Sequence, residues 1–393
     1  MRLSSVEYRG RMIRGLMASC CGAVLLAVCS SSFAQSITMQ PLTTFGSNGW
    51  LSGTSFGASG TNNSIRSMAF NRATGNVIVA NGSALQVVNG TTGVIGATLN
   101  ATGITGGARG LSAVTVMTDG VIYGANLTTS STSSPFKIYR WANESAAPTV
   151  FYSGNGGYAL GVRAGDSLTS IGADATGMLA FGTGTATGAP VPTNYYSLLT
   201  TNGGVAGSAI AMTGTGAANL SFRTGLAFID QDTVLGLGAG STTNNALVSG
   251  TSGSWTFDGL RTIQNVNERS MMASETIFGT PMLATVQFGG NGGTLLTSTN
   301  TVRLYDLTNV ATSGLGTPLA SGNIAVGAVS NGNGTVGVAF GTVNGGPVVF
   351  AMNTNNGIQA LQIVPEPSTM LVVGACSVGL SAMMLRRRNG RKS

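Results

Sequence analysis

The chain has no histidine, and its four cysteines, Cys20, Cys21, Cys29 and Cys376, all stand near its ends. Without histidine there is no Ser-His-Asp or Cys-His catalysis, no His-ligated zinc and no ordinary haem attachment. The cysteine-free stretch between residues 35 and 364 can form neither a disulfide nor a thiol nucleophile. Charge is scarce too: 8% of the residues are charged, against about 25% in a typical soluble protein. The net charge of +7 belongs to the termini, because residues 35–364 carry ten basic and ten acidic side chains. That balance leaves no basic surface for nucleic acid.

Glycine is what the chain has in excess, 60 of 393 residues. Runs of Gly, Ser, Thr and Asn separate short apolar segments, the rhythm of an all-β protein with many turns. With 42% hydrophobic residues the composition argues against disorder. One unit reads Ser67–Phe70, a turn over Asn71–Gly75, Val77–Ala80, Leu85–Val88 and Val94–Leu99, four consecutive antiparallel strands. A second runs from near Leu111 through Val121–Tyr123 and Phe136–Trp141 to Thr149–Tyr152, and further units begin near Leu168, Leu226, Met271 and Ile324. The starts lie 44 to 58 residues apart, close to the roughly 40–50 residues of a propeller blade. The expected fold is therefore an all-β propeller of six or seven four-stranded blades over residues 35–363. Ile37–Phe45 is placed to supply a missing strand at the closure. The rival is a β-helical or elongated adhesin, whose repeats are shorter and more regular.

The ends read differently. Arg2, Arg9, Arg11 and Arg14, the apolar stretch Leu16–Val28 and the small residues around Phe33 form a secretory signal over residues 1–34, with cleavage between Ala34 and Gln35. At the other end Val364-Pro365-Glu366-Pro367-Ser368-Thr369 precedes an apolar run, Met370–Leu385, and a basic tail over residues 386–393 that begins with Arg386, Arg387 and Arg388. The run is near the lower length limit for a membrane helix, and the arginines hold the tail on the cytoplasmic side. Residues 364–393 resemble the PEP-CTERM sorting domain of Gram-negative bacteria. The resemblance implies that a membrane-embedded exosortase recognises Pro365, Glu366 and Pro367 after signal peptidase has acted. It also implies transient insertion in the inner membrane, delivery to the envelope or the exterior, and an association with exopolysaccharide and biofilm matrix. The strand rhythm of the body resembles bacterial propeller repeats of the YVTN kind.

Within the body no residue is marked as catalytic, and no metal or cofactor is implied. Asp230-Gln231-Asp232 reads as a polar turn rather than a calcium loop, which needs more alternating oxygen ligands. Asp166, Asp174, Asp258, Glu268, Glu275 and Asp306 are the carboxylates from which a glycosidase-like pair would come. Gly182-Thr183-Gly184 and Gly289–Gly293 read as turns, since no Gly-Lys-Ser/Thr follows. Trp141, Trp255, Tyr195 and Tyr196 are read as core residues, with stacking on sugars as the other use. The leading expectation is a non-catalytic module that binds extracellular polysaccharide or envelope proteins; the alternative is a carboxylate-dependent polysaccharide-active enzyme. Prolines on both sides of Glu366 keep that segment extended and open to a processing enzyme. Replacing Pro365, Glu366 and Pro367 with alanine should trap uncleaved chain in the membrane fraction, read by fractionation and intact mass; release at the wild-type mass would remove the motif as the recognition element.

Overall fold

The computed structural model describes residues 36–57, 65–82, 84–186, 194–213, 222–237, 244–251, 254–262, 272–287, 300–324, 336–354 and 356–366. By its contacts the chain divides into two units, residues 39–364 and a terminal unit made of Met1–Thr38 and Pro365–Ser393. In the terminal unit the Glu366 amide donates to the Ser36 carbonyl at 2.9 Å. The expected signal helix and the expected membrane helix lie outside the described residues. Among those described, no helix is long and apolar enough to cross a membrane.

The body is all-β and has a propeller arrangement. Strands β1 (Ile37–Pro41) and β2 (Trp50–Ser52) precede the first sheet, which holds β3 (Ile65–Asn71), β4 (Asn76–Asn81), β5 (Ala84–Asn89) and β6 (Ile95–Thr98). The second sheet holds β7 (Arg109–Val116), β8 (Ile122–Leu127), β9 (Phe136–Trp141) and β10 (Thr149–Gly154). The third holds β11 (Val162–Ile171), β12 (Met178–Thr185), β13 (Asn194–Thr200) and β14 (Ile210–Thr213). The fourth holds β15 (Gly225–Asp230), β16 (Thr233–Leu237), β17 (Asn244–Thr251) and β18 (Ser254–Thr262). The fifth holds β19 (Ala273–Ile277), β20 (Thr280–Gln287), β21 (Asn300–Asp306) and β22 (Ala320–Ile324). In the last, β23 (Val336–Val343), β24 (Gly346–Asn353) and β25 (Gly357–Pro365) are joined by β1 beside β25, and β2 also pairs with β25.

Strands that follow one another within a sheet pair antiparallel, and the leading strands meet in a closed cycle: β3 touches β7, β7 touches β11, β11 touches β15, β15 touches β19, β19 touches β23, and β23 returns to β3. Alternating side chains of neighbouring sheets fill the space between them, so the core is a series of inter-sheet clusters. Trp141, Leu111 and Ile78 pack between the first and second sheets, Phe136 and Phe181 between the second and third, Tyr196 and Phe222 between the third and fourth, and Leu283, Tyr305 and Leu235 between the fourth and fifth.

Closure is made by residues 37–52. The Leu42 amide donates to the Ala360 carbonyl at 3.0 Å, and Trp50 stands opposite Gln359. Phe45 meets Phe350 edge-on and Phe70 stacks on the same ring, each with centroids 5.6 Å apart. This corrects the phase of the final unit. Ile324 ends β22, the outer strand of the fifth sheet, instead of opening a sixth unit; the last sheet takes its outer strand from β1 because the ring must be sealed. Gly182-Thr183-Gly184 is likewise not a turn but part of β12. A Cβ on Gly182 would stand 2.2 Å from the Phe222 carbonyl oxygen, so glycine here admits the chain segment that leads into β15.

Phe350 touches both partners of the seal and is fully buried. Phe350→Ala should therefore cost about 3–5 kcal/mol, measured by denaturant unfolding. A loss under about 1 kcal/mol would place the seal elsewhere.

Candidate functional site: an arginine-ringed carboxylate

Asp166 sits on β11, the leading strand of the third sheet, with its side chain 3% exposed. The strand reaches this position through an irregularity: between Ala164 and Leu168 the pairing with β12 slips, so β11 carries extra residues against Thr183 and Phe181. Such bulges re-aim a side chain out of the sheet's alternation. Gly165 makes the turn with φ +98°, and a Cβ there would lie 1.9 Å from the Asn126 carbonyl oxygen. The same device recurs nearby. The register of β3 shifts between Ile65 and Ser67, releasing Arg66, and that of β7 shifts between Arg109 and Ala113.

Four consecutive sheets deliver a guanidinium to this place. Arg163 binds Asp166 through two parallel bonds, Nε to Oδ2 at 2.6 Å and Nη2 to Oδ1 at 2.8 Å. Arg223, just ahead of β15, donates Nε to Oδ2 at 2.8 Å. Arg66 arrives from the first sheet, with Nη2 3.5 Å from Oδ1, while its Nε donates to Ser112 of the second sheet at 3.0 Å. Arg109 adds its charge from β7. Because Arg66 reaches past the second sheet to the third, the contact crosses the ring interior.

Burial pushes the Asp166 carboxyl up, but the bonds and charges of Arg163 and Arg223 more than offset it and hold it at about 2. Burial lowers Arg66 to about 10, against the pull of Asp166 and aided by the charges of Arg109, Arg163 and Arg223. A carboxyl so low cannot hold a proton at neutral pH, so Asp166 is unsuited to general-acid work. What the arrangement offers is a positive field fixed by one anion.

Further along the leading strands lies a cavity of about 330 Å³, lined from all six sheets and including Thr115, Ser170 and Ser274. Thr115 and Ser170 share a hydrogen bond at 2.7 Å, and Arg72 and Glu275, both lining this space, are ion-paired with each other.

The other carboxylates offered by the sequence are separately engaged. Asp174 is bound by Arg140 at 2.6 Å and receives the Tyr123 hydroxyl, whose phenol is pushed up by burial and by Asp174. Asp230-Gln231-Asp232 is an exposed turn in which the Asp232 amide bonds Asp230 Oδ1 at 2.8 Å. Asp306 accepts from the Thr308 amide at 2.7 Å. Trp141 and Tyr196 are buried, and Trp141 Nε1 donates to the Asn100 carbonyl at 2.8 Å. Among the described residues no three His, Cys, Asp or Glu side chains converge as a metal site. Pro365 ends β25, and it and Glu366 are half-buried. Ala34, Gln35, Pro367, Arg386, Arg387, Arg388, Glu268 and Gly289–Gly293 lie outside the described residues, as do the side chains of Asp258, Trp255 and Tyr195.

No local motif singles out these arginines. Their signal was positional: Arg66, Arg109, Arg163 and Arg223 each stand a few residues ahead of the first apolar residue of a unit.

No protein-family model matches the chain, and no curated protein matches it. Among solved structures it is similar to a DUF4623 family protein from Bacteroides eggerthii, with 17% identity, 83% of this chain and 74% of that one covered, and a TM-score of 0.59. A gluconolactonase from Xanthomonas campestris aligns at 13% identity over 78% of this chain and 88% of that one, with a TM-score of 0.48. The allergen Mala s 1 of Malassezia sympodialis aligns at 10% over 76% and 92%, also at 0.48. At such identities the likeness concerns the fold alone.

Because the folded Asp166 carboxyl titrates below its ordinary 3.8, its stabilisation is complete above that value and is lost as pH falls toward about 2. Asp166→Asn should cost about 3–5 kcal/mol at neutral pH, since it strands buried guanidinium charge, and should flatten the acid limb of a melting-temperature profile. An unchanged limb would remove Asp166 as the titrating group.

Proposed function

We propose that the chain is an exported six-bladed propeller, each sheet one blade, that binds extracellular polysaccharide or envelope proteins and does not catalyse. Signal peptidase acts after Ala34, the span 370–385 holds the precursor transiently in the inner membrane, and an exosortase-type enzyme recognises Pro365, Glu366 and Pro367. The terminal residues support the sorting half of this reading through their order: an extended proline-flanked motif, then an apolar run, then arginines.

The binding half rests on one observation. Asp166, the most enclosed carboxylate of the ring interior, is saturated by arginines and held ionised. A glycosidase needs one carboxyl raised to donate a proton and a second facing it; here the environment works in the opposite direction. A polar, glycine-rich surface on a rigid ring suits recognition, because sites on strands of a scaffold are held more firmly than sites on loops.

A polysaccharide array probed with the chain, followed by product analysis of every retained glycan, tests this. Retention without new reducing ends or altered sugars is expected; chain cleavage or modification that survives rigorous purification would make the protein an enzyme.

A further inference from the structure

From the arginine cluster we infer that Arg163 and Arg223 form a receptor for the carboxylate of an acidic polysaccharide, one bearing uronate units. The inference rests on the binding reading above and specifies its ligand class.

Charge comes first. Three guanidinium groups, those of Arg66, Arg163 and Arg223, contact a single carboxylate, and Arg109 adds to the same field. A body with equal numbers of acidic and basic side chains thus concentrates positive charge at one place in its ring. Walls of low dielectric focus such a field and draw in anions.

The free hydrogen-bonding capacity of the cluster has a definite shape. Asp166 takes the Nε–Nη2 edge of Arg163 but only Nε of Arg223. Among the described residues no acceptor meets the two terminal amino groups of Arg223 or Nη1 of Arg163. Both side chains retain access to solvent, at 26% and 24%, whereas Arg66 is 5% exposed. A guanidinium fork matches the two coplanar oxygens of a carboxylate. Asp166 thus orients the fork in advance, and ordering it at the moment of binding costs little.

The fork is also held from behind. Ser167 Oγ donates to the Arg223 carbonyl at 3.1 Å and accepts from the Gly182 amide at 3.2 Å. Phe222, next in the chain, is fully buried. A Cβ on Gly184 would lie 3.1 Å from Arg223 Cδ, so this glycine leaves room for the arginine stem. The compactness of the cluster fits a single anionic group in a chain of sugars and not the extended phosphate track of a nucleic acid. Exported chains meet polysaccharide, which selects a uronate as the source of that group.

The test is binding of the full chain to polygalacturonate, with neutral dextran and poly-glutamate in parallel. Polygalacturonate should bind, more weakly as salt rises, and neither of the others should match it. Arg223→Gln should lower melting temperature, because Asp166 loses a partner, and should lower the affinity of the protein that remains folded at least about tenfold; Arg223→Lys, which keeps the charge but loses the fork, should also weaken binding. Gly184→Ala, which retains every charge and presses on the stem of Arg223, should give a smaller loss and serves if Arg223→Gln does not fold. Wild-type affinity in the Arg223 variants, or in Gly184→Ala where those do not fold, would overturn the inference. Equal binding of dextran would overturn the anion site and leave the binding reading standing. Equal binding of poly-glutamate would overturn the saccharide assignment. Failure to bind any polysaccharide would remove the polysaccharide form of the binding reading, and this inference with it.

Discussion

The ring depends on how Asp166 is held. Among the described residues its carboxylate is the one anion to which the first, third and fourth sheets all send an arginine, and Arg66 ties in the second through Ser112. Most contacts in this fold join a sheet to its neighbour: strand ladders within, aromatic and aliphatic clusters between. Such contacts fix each step of the ring but not the fit of sheets that do not touch. A charge contact that skips a sheet supplies that constraint. A buried ion pair seldom stabilises more than a well-packed apolar group would. Its contribution here is alignment, because the wrong stagger would leave guanidinium groups buried without their anion.

The outer part of the molecule solves a different problem. Without the first strands, β25 would present an unpaired sheet edge, which invites association with other chains. The segment from Leu42 to Ser52 lies along β25, and Phe45 is drawn against Phe350, on which Phe70 stacks. The strands that seal the ring stand early in the body and pair with β25, its last strand, so closure joins residues some three hundred positions apart. Non-local closure of this kind is slow to form, which suits a body with no cysteine to mispair on the way.

Much of the fold could be read from the sequence because its signals are local. Turn residues such as Asn71–Gly75 and Thr118–Gly120 fall between apolar segments of strand length, and the first two units match β3–β6 and β7–β10 closely. The phase of the last unit is hidden in the sequence because its outer strand is β1, at the other end of the body, and nothing around Ile324 announces that. In sequence Gly182 and Gly184 read as a turn because glycine marks both turns and close approaches; only the position of Phe222 and Arg223 tells which. Asp166 is, in sequence, one carboxylate among six, with nothing local to single it out. Its partner Arg66 is a hundred residues away in sequence, and the bulges that turn both inward depend on strand register, which composition does not encode. The four arginines at the heads of successive units were the available clue. Read as a repeat, they would have pointed to one place in a ring.

A double-mutant cycle between Arg66 and Asp166 tests the central claim most directly, with Arg66→Gln, Asp166→Asn and the double variant compared by equilibrium unfolding. If the pair joins the first sheet to the third across the ring, the double variant should be more stable than the sum of the single losses implies, by a coupling of about 1–3 kcal/mol. Additive losses, within about 0.5 kcal/mol, would mean that the two side chains do not share an interaction and that the ring is aligned by its neighbour-to-neighbour packing alone.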